Sequence, residues 1–116
     1  MTDTPDKMIP LEIEPQEVHA LLQSDDDFLL LDCRTAPEHD IARIEPATLI
    51  PLQEMSIRAD ELEPWRNRPI VVYCHHGSRS LIITRLLRHL GFKDVRSMNG
   101  GIDRWSTEID SSVPLY

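Results

Sequence analysis

Ile70-Val71-Val72-Tyr73-Cys74-His75-His76-Gly77-Ser78-Arg79-Ser80 is the stretch that decides the fold. Its first four residues are β-branched or aromatic, the composition of a buried strand. Leu81, Ile82, Leu86, Leu87 and Leu90 follow at helical spacing up to Gly91, a natural helix stop. A strand, a tight loop and a helix therefore succeed one another between Ile70 and Gly91. Upstream, Phe28-Leu29-Leu30-Leu31-Asp32-Cys33 is a second continuous apolar run of strand length, as expected where both faces of a sheet are covered.

The same reading extends outward. Ile9 to Ile13 predicts a short strand, and Glu14-Pro15-Gln16-Glu17 leading into Val18-His19-Ala20-Leu21-Leu22 predicts a helix opened by proline. Pro37 to Pro51 predicts a helical turn and a brief strand at Thr48 to Ile50, and Gln53 to Trp65 predicts one or two short helices. Lys93 to Ser97 predicts a last strand, Asn99-Gly100-Gly101 a turn, and Ile102 to Trp105 the start of a final helix with Trp105 in the core. Strands alternating with helices give the α/β class, with a mainly parallel central sheet flanked by helices. Residues 1–8 are expected to be a flexible N-terminal segment and residues 9–116 a single domain.

Composition narrows the function. A chain of 116 residues can bury one core but not two. Apolar residues make up 41% and charged residues 28%, the balance of a soluble globular protein. Apolar stretches such as Phe28 to Leu31 are too short to cross a bilayer, so no membrane partner is expected. The opening MTDTPDKMIP lacks the cationic start and apolar run of a secretory signal, which gives a cytoplasmic expectation. A formal net charge of −8 leaves no basic field for a polyanion, so no nucleic-acid partner is expected. Neither Cys33 nor Cys74 belongs to a CxxC pair, and a reducing compartment favours free thiols over a disulfide or structural zinc.

Chemistry concentrates at Cys74. A loop that leaves a buried strand and enters a helix N-terminus directs backbone N–H groups at one small volume, with the helix dipole favouring negative charge there. A cysteine opening that loop should be a nucleophilic thiolate, with a pKa below the ordinary value of ~8.5. Gly77 allows the tight turn, and Arg79 is expected at the pocket rim with its planar fork facing an anionic substrate. His75, His76, Ser78 and Ser80 complete the candidate loop. Asp32 and Arg34 read as an ion pair that orders the end of the neighbouring strand. Cys33 places a second thiol at the end of that strand and reads more simply as a plain buried thiol than as a partner that resolves Cys74 as a disulfide. The acids between Glu54 and Glu63 read as a solvated face.

Cys74-His75-His76-Gly77-Ser78-Arg79-Ser80 resembles the active-site loop of the rhodanese family: a Cys, two variable residues, Gly, one variable residue, Arg and often Ser. Leu30-Leu31-Asp32-Cys33-Arg34 with Glu38 is similar to that family's first motif. Gly91-Phe92, Gly100-Gly101-Ile102 and Trp105 are similar to its closing motif. The resemblance implies a rhodanese-like fold and a single-domain sulfurtransferase in which Cys74 accepts sulfane sulfur as a persulfide and the loop amides from His75 to Ser80 cradle it. It implies a small sulfur donor such as thiosulfate, a thiophilic acceptor such as cyanide, a thiol or a carrier protein, and no metal or organic cofactor. Two departures stand out. Ile41-Ala42-Arg43-Ile44-Glu45-Pro46-Ala47 lacks the family's Gly-His-Ile-Pro-Gly-Ala, and Cys33 replaces the usual Val. Asp110-Ser111-Ser112-Val113-Pro114-Leu115-Tyr116 resembles the tail of rhodanese domains fused to enzymes that adenylate and sulfurate carrier proteins.

Three alternatives compete. Related cysteine phosphatases and arsenate reductases separate Cys from Arg by five residues, whereas four lie between Cys74 and Arg79, a narrower cradle better suited to a persulfide sulfur. A non-catalytic rhodanese-like module commonly loses the Cys, which this chain keeps. A metal site on Cys74, His75 and His76 is disfavoured because adjacent histidines usually point apart and no further Cys or His stands at ligand spacing.

Overall fold

The computed structural model describes residues 9–116; the expected flexible segment 1–8 lies outside the described residues. Five strands form one parallel sheet: β1 Glu12–Ile13, β2 Leu29–Asp32, β3 Thr48–Leu49, β4 Ile70–Tyr73 and β5 Val95–Met98, in spatial order β1-β5-β4-β2-β3. The helices are α1 Pro15–Gln23, α2 Ala36–Ile41, α3 Met55–Arg58, α4 Ser78–His89 and α5 Gly101–Glu108, with 3-10 segments Leu52–Glu54 and Ala59–Trp65 on either side of α3. The expected α/β class and mainly parallel sheet flanked by helices are what the structure shows.

β4 lies at the middle of the sheet and is buried along its whole length. Its side chains alternate between two cores, as the period of two requires. Ile70, Val72 and then Cys74 face a layer completed by Ile83 and Leu87 of α4, with Met55 and Leu62. Val71 and Tyr73 face the opposite layer, with Val18 of α1 and Ile102 and Trp105 of α5. In β2, Leu31 and the following Cys33 share the Cys74 side. The register pairs Asp32 with Tyr73, so Cys33 and Cys74 leave adjacent strands at the same level and on the same face.

Local structure refines several expectations. Ser78, Arg79 and Ser80, read as loop, form the first turn of α4, because Gly77 takes the N-cap position with φ +112°. The stripe that α4 buries is Ser80, Ile83, Thr84 and Leu87, which leaves Ile82 and Leu90 exposed. α2 starts at a capping box: Glu38 N–H donates to Thr35 Oγ1, and Thr35 N–H donates to the Glu38 carboxylate. Gly101, read as part of a turn, opens α5 with φ +63°. Among the described residues no helix is long and apolar enough to cross a membrane.

The α5 start and the Cys74 loop are laced together. Ile102 N–H donates to the Cys74 carbonyl (2.9 Å) and Asp103 N–H to the His75 carbonyl (3.1 Å). A Cβ on Gly101 would collide with both carbonyls, and its φ is one that side-chain-bearing residues rarely adopt. Gly101→Ala is therefore expected to destabilise the protein by more than about 1 kcal/mol, with a matching fall in urea midpoint and a change in Cys74 reactivity. An unchanged midpoint would show that the contact yields without cost.

Candidate functional site

Cys74 follows β4 directly and its side chain is almost fully buried (1% exposed). Its sulfur accepts from Gly77 N–H at 3.0 Å and lies 3.4 Å from Ser80 Oγ. Ser80 Oγ also lies 3.1 Å from the Gly77 carbonyl and 2.7 Å from Ser97 Oγ on β5. A hydroxyl has one proton, so Ser80 can give it to the sulfur only by releasing the Gly77 carbonyl, with Ser97 as the remaining partner.

The largest influence on Cys74 comes from the neighbouring strand. Cys33 stands beside Cys74 at the same level of the sheet. Its thiol, ahead of the Ser80 hydroxyl and the Ser80 and Gly77 amides, pulls the Cys74 thiol down to about 5 against the opposing effect of burial. Cys33 itself is pushed far up, chiefly by Cys74 and then by desolvation. Its thiol donates to the Tyr73 carbonyl at 3.5 Å. The residue read as a plain buried thiol is an electrostatic partner of the nucleophile.

Arg79 does not present a free fork at the rim. Both terminal nitrogens donate to Glu38, at 2.7 and 2.9 Å, and the pair is only partly exposed. Glu38 further accepts from Tyr116 Oη (2.8 Å) and from the Thr35 amide (3.1 Å), and Arg79 before all others holds its carboxyl well below the ordinary range. A guanidinium with a bidentate carboxylate in reach takes that partner in preference to water.

Asp32 and Arg34 form the expected ion pair, fully buried, with contacts of 2.9 and 2.7 Å. Arg34 Nη2 also donates to the Ala42 carbonyl at 2.5 Å and Nη1 to Tyr116 Oη at 2.8 Å. Asp32 is in turn held by Tyr73 Oη (3.2 Å) and His39 Nδ1 (2.8 Å). With every arm of both groups engaged, the charges are tolerated in the core. Tyr116 ties these groups to the loop: its ring stacks on His75 at 4.0 Å between centroids and 7° between planes. His75 and His76 do not point apart; their rings lie 3.8 Å from one another. Gly77 is needed for its φ of +112°, while Ser78 is exposed.

The structure therefore gathers Cys74, Gly77 and Ser80 around one sulfur, and sets Asp32, Arg34 and Arg79 in a supporting network behind it. Sequence reasoning left Glu38, Tyr116, Ser97 and the influence of Cys33 out of the site. Thr35-x-x-Glu38 was a readable capping signal; the others are joined only by tertiary contact. Chemically, a buried thiolate in a cradle of amides and hydroxyl is a nucleophile that also accommodates a negatively charged adduct.

The rhodanese-like domain family matches residues 14–108. The adenylyltransferase and sulfurtransferase UBA4 of Debaryomyces hansenii is 30% identical over 115 residues, 91% of this chain, and the chain spans about a quarter (26%) of that relative's length. Among solved structures, a rhodanese-related protein from Thermoplasma volcanium is 26% identical with a TM-score of 0.78, covering 92% of this chain and 100% of that one. The human single-domain sulfurtransferase TSTD1 is 25% identical with a TM-score of 0.74, covering 85% and 97%.

Two outcomes are expected. The thiolate absorbance and iodoacetamide reactivity of Cys74 should titrate with a midpoint near 5. Because the folded value is depressed, the thiolate's contribution to stability should be full above the unfolded pKa of ~8.5 and lost as pH falls through about 5. Cys33→Ala should move the midpoint upward, and a midpoint that stays put would remove Cys33 from the site. Second, Arg79→Ala should lower stability by about 1–3 kcal/mol by stranding Glu38, with Glu38→Gln milder; a double-mutant cycle that shows no coupling between the two would contradict the clasp.

Proposed function

The chain belongs to the rhodanese-like domain family, and on that premise we propose that it is a sulfurtransferase carrying sulfane sulfur as a persulfide on Cys74. The observation that carries this reading is the buried Cys74 sulfur at the C-terminal end of β4, with the Gly77 amide and the Ser80 hydroxyl directed at it and the Cys33 thiol at the same level of β2. A buried thiolate that retains its charge at neutral pH needs a use, and the cradle suits an anionic sulfur one bond further out.

The cycle has two displacements. The Cys74 thiolate attacks the outer sulfur of a donor such as thiosulfate; a sulfur–sulfur bond forms, the old one breaks, and sulfite leaves with the electron pair. A nucleophilic acceptor then takes the outer sulfur and returns Cys74 as thiolate, so the kinetics are ping-pong. Gly77 N–H and Ser80 Oγ hold the nucleophile, and the loop amides from His75 to Ser80 receive the persulfide. Cys33 lowers the Cys74 pKa and leaves the thiolate populated at working pH. Arg79 acts through Glu38 by fixing the first turn of α4, so it is a positioning residue. Asp32 and Arg34 hold the end of β2, from which Cys33 reaches Cys74.

A carrier protein is an acceptor in keeping with the resemblance of the tail and with the adenylyltransferase and sulfurtransferase named among the relatives. The pair of free thiols suits the cytoplasm, where reduction keeps them apart. The four-residue spacing from Cys74 to Arg79 favours sulfur over phosphate chemistry.

Intact mass after incubation with thiosulfate should rise by one sulfur atom and return on addition of cyanide. Cys74→Ala should show no gain, and Cys33→Ala a slower one. Brisk hydrolysis of aryl phosphates with thiosulfate left untouched would sink the assignment.

A further inference from the structure

Next to the thiolate loop lies a second group of side chains that the proposed sulfur chemistry does not use. One ring nitrogen each of His75 and His76 and one carboxylate oxygen of Asp103 lie within 4.8 Å of one another. His75 Nε2 is buried and lacks a hydrogen-bond partner among the described residues, so it is open to a water molecule or an ion. The His76 and Asp103 side chains likewise make no hydrogen bond or ion pair there, although ion pairs are plentiful elsewhere on the surface. Three unengaged ligand groups thus converge on one point.

The backbone fixes that convergence. Asp103 N–H donates to the His75 carbonyl, and Gly101 brings α5 so near the loop that a Cβ there would strike the same carbonyl. The His75 ring is held between His76 and Tyr116. His76 is exposed and Asp103 half-buried, so an ion can enter from solvent.

We propose that His75, His76 and Asp103 form a binding site for a divalent transition-metal ion of the zinc class. Two imidazoles and a carboxylate are the donor set of zinc and its neighbours rather than of calcium or magnesium, which take oxygen ligands. Zinc bonds of about 2.0–2.2 Å require donors now within 4.8 Å of one another to draw closer around the ion, by side-chain rotation of His76 and Asp103. With three protein ligands the ion keeps an open position for water or an anion. Because His75 follows Cys74 in the chain and Asp103 belongs to α5, an ion there ties the thiolate loop to the α5 start. Its occupancy then sets the stiffness of that loop. The inference does not depend on sulfur transfer; it rests on three side chains outside the Cys74 cradle.

The test is calorimetric titration of the full chain with zinc, in wild type, His76→Ala and Asp103→Asn, with cobalt(II) absorption as the spectroscopic probe. One ion per chain should bind wild type, with a rise in melting temperature, and each substitution should weaken binding by more than about tenfold. Cobalt spectra should lack the intense near-ultraviolet band of thiolate ligation, and Cys74→Ser should bind like wild type. Thermal melts without metal check that both ligand variants are folded, as their exposed or half-buried positions lead us to expect. Undiminished zinc affinity in folded His76→Ala and Asp103→Asn, a thiolate–cobalt band, or no binding to wild type would each overturn the proposal. The mass gain with thiosulfate in metal-free buffer reads the sulfur chemistry separately.

Discussion

The burial of β4 between β2 and β5 is the constraint on which the rest of the structure depends. A strand covered on both faces and paired on both edges has its direction, register and exit point fixed. Cys74 stands at that exit. Its side chain must continue the alternation that sends Ile70 and Val72 toward α4, so it meets the first turn of α4 and not the opposite layer. The same register places Cys33 of the neighbouring strand on the same face. The ionisation of Cys74 is therefore a product of sheet geometry before it is a product of the loop.

Around this exit two supports act from different directions. On one side, the Asp32–Arg34 pair and the Glu38–Arg79 clasp join the end of β2, the start of α2 and the first turn of α4, with the Tyr116 hydroxyl bonded to both. On the other, the α5 start donates two amides to the Cys74 and His75 carbonyls. A loop fixed at both flanks needs no large motion to keep its N–H groups aimed at the sulfur, which is what preorganised stabilisation of an anion demands.

Much of this was readable from the chain alone, for reasons that differ by residue. β4 and α4 announce themselves by local composition and spacing, and Cys74 by the company of Gly77 and Arg79 at a strand–helix junction. The partner of Arg79 was not legible because it stands 41 residues away; a guanidinium's spacing from Cys74 says nothing of a carboxylate delivered by another helix. Tyr116 reaches Arg34 across 82 residues, beyond any periodicity argument. His75 and His76 follow a general rule for adjacent side chains until Tyr116 stacks against one of them. Cys33 was visible as a second thiol, but its effect depends on the sheet register, which composition does not reveal.

The margins of the sheet carry a consequence for the protein's behaviour in crowded solution. Both outer strands are two residues long, and each is bracketed by prolines: Pro10 and Pro15 around β1, Pro46 and Pro51 around β3. A parallel sheet with long bare margins offers a template on which other chains add strands and polymerise. Here the unpaired amides run out after two residues, and proline, which has none to donate, stands on either side. The apolar centre that makes Cys74 possible is thus enclosed by margins that offer few unpaired amides to an added strand.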